Sequence, residues 1–129
     1  MMNPSTRSHW TIAIALAALV AGMAPAAFAG DAAAGKTIYT TNCVSCHGDT
    51  GKGDGPVGVA LQPPPRDFSV GDFVFDADGD GEKGTDADLT NVIKNGAMKY
   101  GGSPLMAPWA TLSDEEIANL VAFIRSLKQ

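Results

Sequence analysis

Two cysteines stand three positions apart in Cys43-Val44-Ser45-Cys46-His47, and a histidine follows at once. No other feature narrows the possible folds of this chain as far. On a helical turn, side chains three apart share a face. Both sulfurs can therefore bond one flat ligand while the neighbouring imidazole points at its centre. This is the spacing of a covalent haem attachment site, in which the thiols add to two vinyl groups and the histidine ligates iron. Other uses of paired cysteines fit worse. A zinc site takes about four ligands, and past residue 29 the chain offers two cysteines and one histidine. A thioredoxin-like pair needs βαβ patterning around it, which is missing here, and a plain disulfide leaves the histidine unexplained. The implied cofactor is one covalently bound haem c.

The chain before this motif reads as an export signal. Arg7 and His9 precede an apolar run from Trp10 to Ala21, Pro25 breaks it, and Ala27-Phe28-Ala29 is the small-x-small pattern of a signal-peptidase site. Residues 1–29 are expected to be a cleaved signal peptide. An uncleaved anchor is the competing reading, since Trp10 to Ala29 is just long enough to span a bilayer, but Pro25 and the cleavage pattern oppose it. Residues 30–129 then form one domain, with no internal repeat, and the protein is expected in the periplasm with no membrane span.

Helix punctuation is clear in that domain. Asp31 is placed to cap a helix that runs through Ala32-Ala33-Ala34, Ile38 and Tyr39 into the cysteine segment. Thr85 and Asp88 form a capping box for a second helix, closed by Gly96. Ser113 and Glu116 form another, and Ile117, Leu120, Val121, Ile124 and Leu127 recur behind it at helical spacing. Between His47 and the second helix lie Gly48, Gly51, Gly53, Gly55, Pro56, Gly58 and Pro63-Pro64-Pro65. That composition predicts a long wrapped loop with room for one short helical turn near 57–61. Nothing reads as a strand. The fold class is all-α, three or more short helices and loops wrapped around one covalent haem. Helices so few bury little surface against one another, and aromatic residues make up only 7%, so the haem is expected to complete the core.

His47 is the only histidine after residue 29, which excludes a second histidine ligand from the same chain. A soft sixth ligand must come from Met98 or Met106. Met106 lies in Ser103-Pro104-Leu105-Met106-Ala107-Pro108-Trp109, stiffened by proline on both sides. Met98 sits in the glycine-rich stretch Gly96-Ala97-Met98-Lys99-Tyr100-Gly101-Gly102. Met106 is therefore the expected distal ligand, with Met98 as the runner-up and otherwise an apolar plug.

With these residues in view, the chain resembles the class I monohaem c-type cytochromes over nearly all of residues 30–129. Gly35 and Tyr39 match that family's first helix, Leu120-Val121-Ala122-Phe123-Ile124 its last, and Met106-Ala107-Pro108-Trp109 with Leu112-Ser113-Asp114-Glu115-Glu116 its methionine loop. An alanine stands where the commoner pattern has proline directly after the methionine. The resemblance implies a cytochrome c-like fold whose first and last helices cross, bringing Gly35 and Tyr39 against Phe123. It also implies a proline carbonyl that orients His47, from Pro56 or Pro63. Arg66, in Pro63-Pro64-Pro65-Arg66-Asp67-Phe68, is a candidate partner for a haem propionate and otherwise an ordinary surface arginine.

One motif stands apart from the haem. Asp76-Ala77-Asp78-Gly79-Asp80-Gly81 repeats the first half of an EF-hand loop. The twelfth position, which should be a bidentate Glu, is Ala87, with Asp86 and Asp88 on either side. A minor calcium site on Asp76, Asp78 and Asp80 is one reading, a solvated acidic turn the other.

Charge bears on partners. Arg7 is the only charged side chain before residue 30, so the mature chain carries eight Lys and Arg against fourteen Asp and Glu. That balance argues against nucleic acid and anionic membranes as partners. The expected function is a monomeric electron carrier, not itself an enzyme, that docks transiently with donor and acceptor proteins between a reductase or dehydrogenase and a terminal oxidase or reductase. The alternatives are a haem subunit of a multi-subunit oxidoreductase and, with an open sixth position, a gas-binding protein or peroxidase.

Overall fold

Three of the four α-helices begin at a capping side chain that the sequence supplies. In this computed structural model, which describes residues 29–129, helix α1 (Ala32–Asn42) starts where the Asp31 carboxylate accepts from the backbone N–H groups of Ala33 and Ala34, at 2.8 and 3.3 Å. After a break at Cys43, α2 (Val44–His47) is a single turn. Helix α3 (Asp86–Asn95) opens with the reciprocal Thr85–Asp88 box and ends at Gly96, whose φ of 81° few other residues tolerate. Helix α4 (Asp114–Ser126) opens with the Ser113–Glu116 box. Two 3₁₀ turns, Gly58–Ala60 and Ala97–Tyr100, complete an all-α fold with no strand among the described residues. The expected signal peptide lies almost entirely outside those residues.

The framework is the crossing of α1 over α4. A Cβ added to Gly35 would overlap the Asn119 carbonyl oxygen, so glycine is what allows the two backbones to meet. One turn on, the Tyr39 and Phe123 rings pack at 5.0 Å with a 58° tilt, a favoured aromatic arrangement. The Asp31 N–H donates to the Asn119 side chain at 2.7 Å and pins the start of the crossing. Leu89 and Ile93 of α3 join Ile117, Leu120, Val121 and Ile124 in the same buried cluster. Each such side chain stabilises the fold by about 1.5–3 kcal/mol relative to exposure.

Residues 48–85 wrap the remaining side and are sewn down by backbone hydrogen bonds. Gly53 N–H donates to His47 O at 2.8 Å, Val57 N–H to Ser45 O at 2.9 Å, and Phe68 N–H to Gly51 O at 2.6 Å. Gly58 lies so close to the Cys46 carbonyl that a Cβ would collide with it. The loop is thereby fastened to the cysteine segment. Its middle is held by Gln129, whose N–H donates to Ser69 O at 3.0 Å.

Candidate functional site

A cavity of about 850 Å³ opens between α2, the wrapped loop and the α3–α4 segment, and Cys43, Cys46, His47 and Met106 all line it. Pockets that enclose organic cofactors run to about 300–1,000 Å³. Most of the wall is apolar, with Leu61, Phe68, Ile93, Trp109 and Leu120 among the contributors. Two cationic residues, Lys52 and Arg66, also line it.

Local structure explains how the cysteines and histidine come together. His47 N–H donates to Cys43 O at 2.9 Å, closing one helical turn. The Tyr39 hydroxyl, on a side chain only 1% exposed, donates to Gly48 O at 2.7 Å and anchors the end of that turn. Burial, and then the charges of Cys43, Asp49 and Asp54, raise the Tyr39 pKa, so the phenol stays protonated as a donor. Burial, with Cys46 nearby, pushes the Cys43 thiol up to about 11. Burial likewise lowers the His47 pKa, only partly opposed by the Arg66 carbonyl. A neutral imidazole keeps a lone pair for a metal.

The carbonyl facing His47 differs from the expectation. It belongs to Arg66, 3.4 Å from Nδ1, and not to Pro56 or Pro63. The Pro63-Pro64-Pro65 run carries the chain past the imidazole, and the Pro65 carbonyl packs on Gly53 instead, leaving the next one to meet the ring. At that distance it is a long hydrogen bond. The Arg66 side chain is exposed at the cavity.

The two methionines part company. Met106 is half-buried on the cavity wall, and its carbonyl accepts from Ala97 N–H at 3.1 Å. Trp109 N–H then donates to Ile93 O at 2.9 Å, fixing the loop at a second point. Met98 lies in the Ala97–Tyr100 turn with 68% of its surface exposed, away from the cavity.

A family model described as Cytochrome c matches residues 32–128. The chain belongs to the cytochrome c family. Cytochrome c-554(547) of Halothiobacillus neapolitanus is 37% identical over 101 residues, covering 78% of this chain and all of that protein. The cbb3-type cytochrome c oxidase subunit CcoP of Azospirillum brasilense is 33% identical, but this chain spans only 30% of its length. Among solved structures, a chain of the reducing HAO-like protein complex of Kuenenia stuttgartiensis matches with a TM-score of 0.62 and 33% identity, over 74% of this chain and 41% of the other. Haem c is thus the cofactor of this cytochrome c, and electron transfer its broad function. The residues fit that group: two thiols three apart, an adjacent neutral imidazole and a thioether share one apolar cavity.

Two contacts of this cytochrome c escaped the sequence reading. Phe68 stacks on His47, with ring centroids 4.4 Å apart and planes within 17°. Its place in Pro65-Arg66-Asp67-Phe68 was the sole hint. Asp88 caps α3 as expected, yet it is 1% exposed and also accepts from Ala77 and Asp78 N–H. Burial opposes its charge, but the Thr85, Ala77 and Asp78 donors outweigh burial and hold the carboxyl below its usual range.

In the acidic turn, Asp76, Asp78 and Asp80 each bring a carboxylate oxygen within 4.8 Å of the others. Those carboxylates also accept from the turn's own backbone, as in Gly81 N–H to Asp76 at 3.0 Å. Among the described residues no helix is long and apolar enough to cross a membrane.

Proposed function

We propose that this cytochrome is an exported, periplasmic one-electron carrier whose iron is held by His47 and Met106, in a domain spanning residues 30–129 after removal of residues 1–29. The observation that carries this reading is the gathering of Cys43, Cys46, His47 and Met106 on one cavity, with Met98 outside it. When bound, haem supplies a metal centre that changes charge by one electron. The chain's own residues do the rest. Cys43 and Cys46 would hold the group through thioethers, His47 would offer a neutral nitrogen, and Met106 a soft sulfur that would favour the reduced state and raise the potential. Were His47 and Met106 both bound to the iron, they would leave no open place for oxygen or peroxide. The two loop attachments at Ala97 and Ile93 keep Met106 in place through a change of oxidation state. Lys52 and Arg66, which line the cavity, would offer cations to the haem propionates. Leu105, 57% exposed at the cavity rim, suits brief apolar contact with donor and acceptor proteins.

The absorption spectrum of the purified ferric holoprotein tests the ligands. The weak red-edge sulfur-to-iron charge-transfer band should be present in wild type and in Met98→Ala, and lost in Met106→Ala. Wild type without the band, or with rapid binding of carbon monoxide when reduced, would move gas binding or catalysis to the front.

A second reading, a haem subunit of a larger oxidoreductase, is favoured by one observation: chains of this kind recur as parts of longer proteins such as CcoP. Size exclusion of the protein from its own host separates the two, since comigration with a catalytic partner sinks the free carrier.

A further inference from the structure

A column of stacked groups runs from the C-terminal end of α4 to His47. The Arg125 guanidinium carbon lies 4.9 Å over the Phe73 ring centroid. Phe73 stacks on Phe68 at 5.8 Å with planes 28° apart. Phe68 stacks in turn on the His47 imidazole at 4.4 Å and 17°. The outer end of the column is fixed, because Arg125 Nε donates to Asp86 at 2.8 Å and a second guanidinium nitrogen donates to the Gly84 carbonyl. The inner end is fixed as well, since Phe68 N–H donates to Gly51 O at 2.6 Å.

An imidazole bonded through one nitrogen keeps a rotation about that bond. Two things here resist it. The Arg66 carbonyl faces Nδ1 at 3.4 Å, long enough to restrain the ring only weakly. The Phe68 ring lies along one face of the imidazole, and a near-parallel aromatic neighbour opposes any turn that would drive an edge into it.

We infer that Phe68 is a positioning residue for the iron ligand. It sets the plane of His47, and Phe73 and Arg125 hold Phe68 in turn, so that the end of α4 governs the electronic orientation of the haem centre. This rests on His47 being the ligand, and the test keeps the two ideas apart.

The measurement is the proton NMR spectrum of the ferric holoprotein, in which the order and spread of the haem-methyl hyperfine shifts report the imidazole plane. The wild-type spectrum comes first. Without hyperfine-shifted haem methyls in a low-spin pattern, the ligand reading itself fails before any substitution is made. Given that pattern, Phe68→Leu should alter the order or spread of the shifts, while Phe68→Tyr, which keeps the ring, should retain the wild-type pattern. The sulfur charge-transfer band should persist in both, showing that the methionine is still bound. Phe73→Leu, one ring removed, should shift the methyls in the same direction by less, and it serves if Phe68→Leu does not fold. A wild-type methyl pattern in a folded Phe68→Leu or Phe73→Leu protein overturns the inference, whatever the loss in thermal stability, and leaves the column as packing alone.

Discussion

Gly35 meets the backbone of Asn119 with no room for a side chain between them, because a Cβ there would overlap the Asn119 carbonyl oxygen. This contact sets how closely α1 approaches α4. The depth at which Tyr39 reaches Phe123 and Gly48 follows from it. Gly35→Ala must push the helices apart, and relief by rotamer change is impossible because the obstacle is main chain. Overpacking of this kind costs about 1–3 kcal/mol. For a domain near 100 residues that lowers the Tm by roughly 5–20 °C. Thermal unfolding followed by far-UV circular dichroism would show it, and an unchanged Tm would mean the helices cross elsewhere.

Asp88 joins the start of α3 to the acidic turn. Its folded pKa is depressed, so its contribution to stability is complete above the ordinary value of 3.8 and is lost as pH falls through the lower folded value. Stability therefore declines on the acid side in wild type. Asp88→Asn places an amide against backbone N–H donors. We expect a lower midpoint in urea at neutral pH and a flatter fall between pH 5 and 2 (about the span over which carboxylates titrate). Urea titrations at several pH values decide it; parallel wild-type and variant curves would count against this role.

Two ion pairs on the surface should behave unequally. Lys94 and Asp114 approach to 2.6 Å, yet their side chains are 42% and 87% exposed and solvent screens them. Lys94→Ala should leave the Tm within about 2 °C. Arg125 also pairs in the open, with Asp86, but adds the Gly84 carbonyl and the face of Phe73. Arg125→Ala should cost about 1–2 kcal/mol, or roughly 5–15 °C. Equal losses for both variants would reduce Arg125 to an ordinary surface charge.

Much of the site was legible because its signals are local. The spacing of Cys43, Cys46 and His47 is a property of one helical turn, and Thr85–Asp88 and Ser113–Glu116 are boxes closed within four residues. Met106 and Met98 were distinguished in sequence by loop stiffness; in the fold, exposure distinguishes them too. The partner of His47 Nδ1 was not legible. Pro56, Pro63 and Arg66 all lie in one irregular loop, and a loop without periodicity does not reveal which carbonyl reaches the ring. The stack of Arg125, Phe73, Phe68 and His47 joins residues up to 78 positions apart in sequence, and no local pattern encodes it.

By itself, the amino-acid sequence determined the cofactor chemistry, the all-α class and the helix limits, since these follow from residue spacing, capping side chains and chain breakers acting over a few neighbours. Tertiary structure decided which carbonyl faces His47, which ring covers it, and that Asp88 holds the acidic turn as well as its own helix. Those choices depend on how closely α1 and α4 approach and on where the wrapped loop is fastened to them, and both are settled only when distant backbones meet.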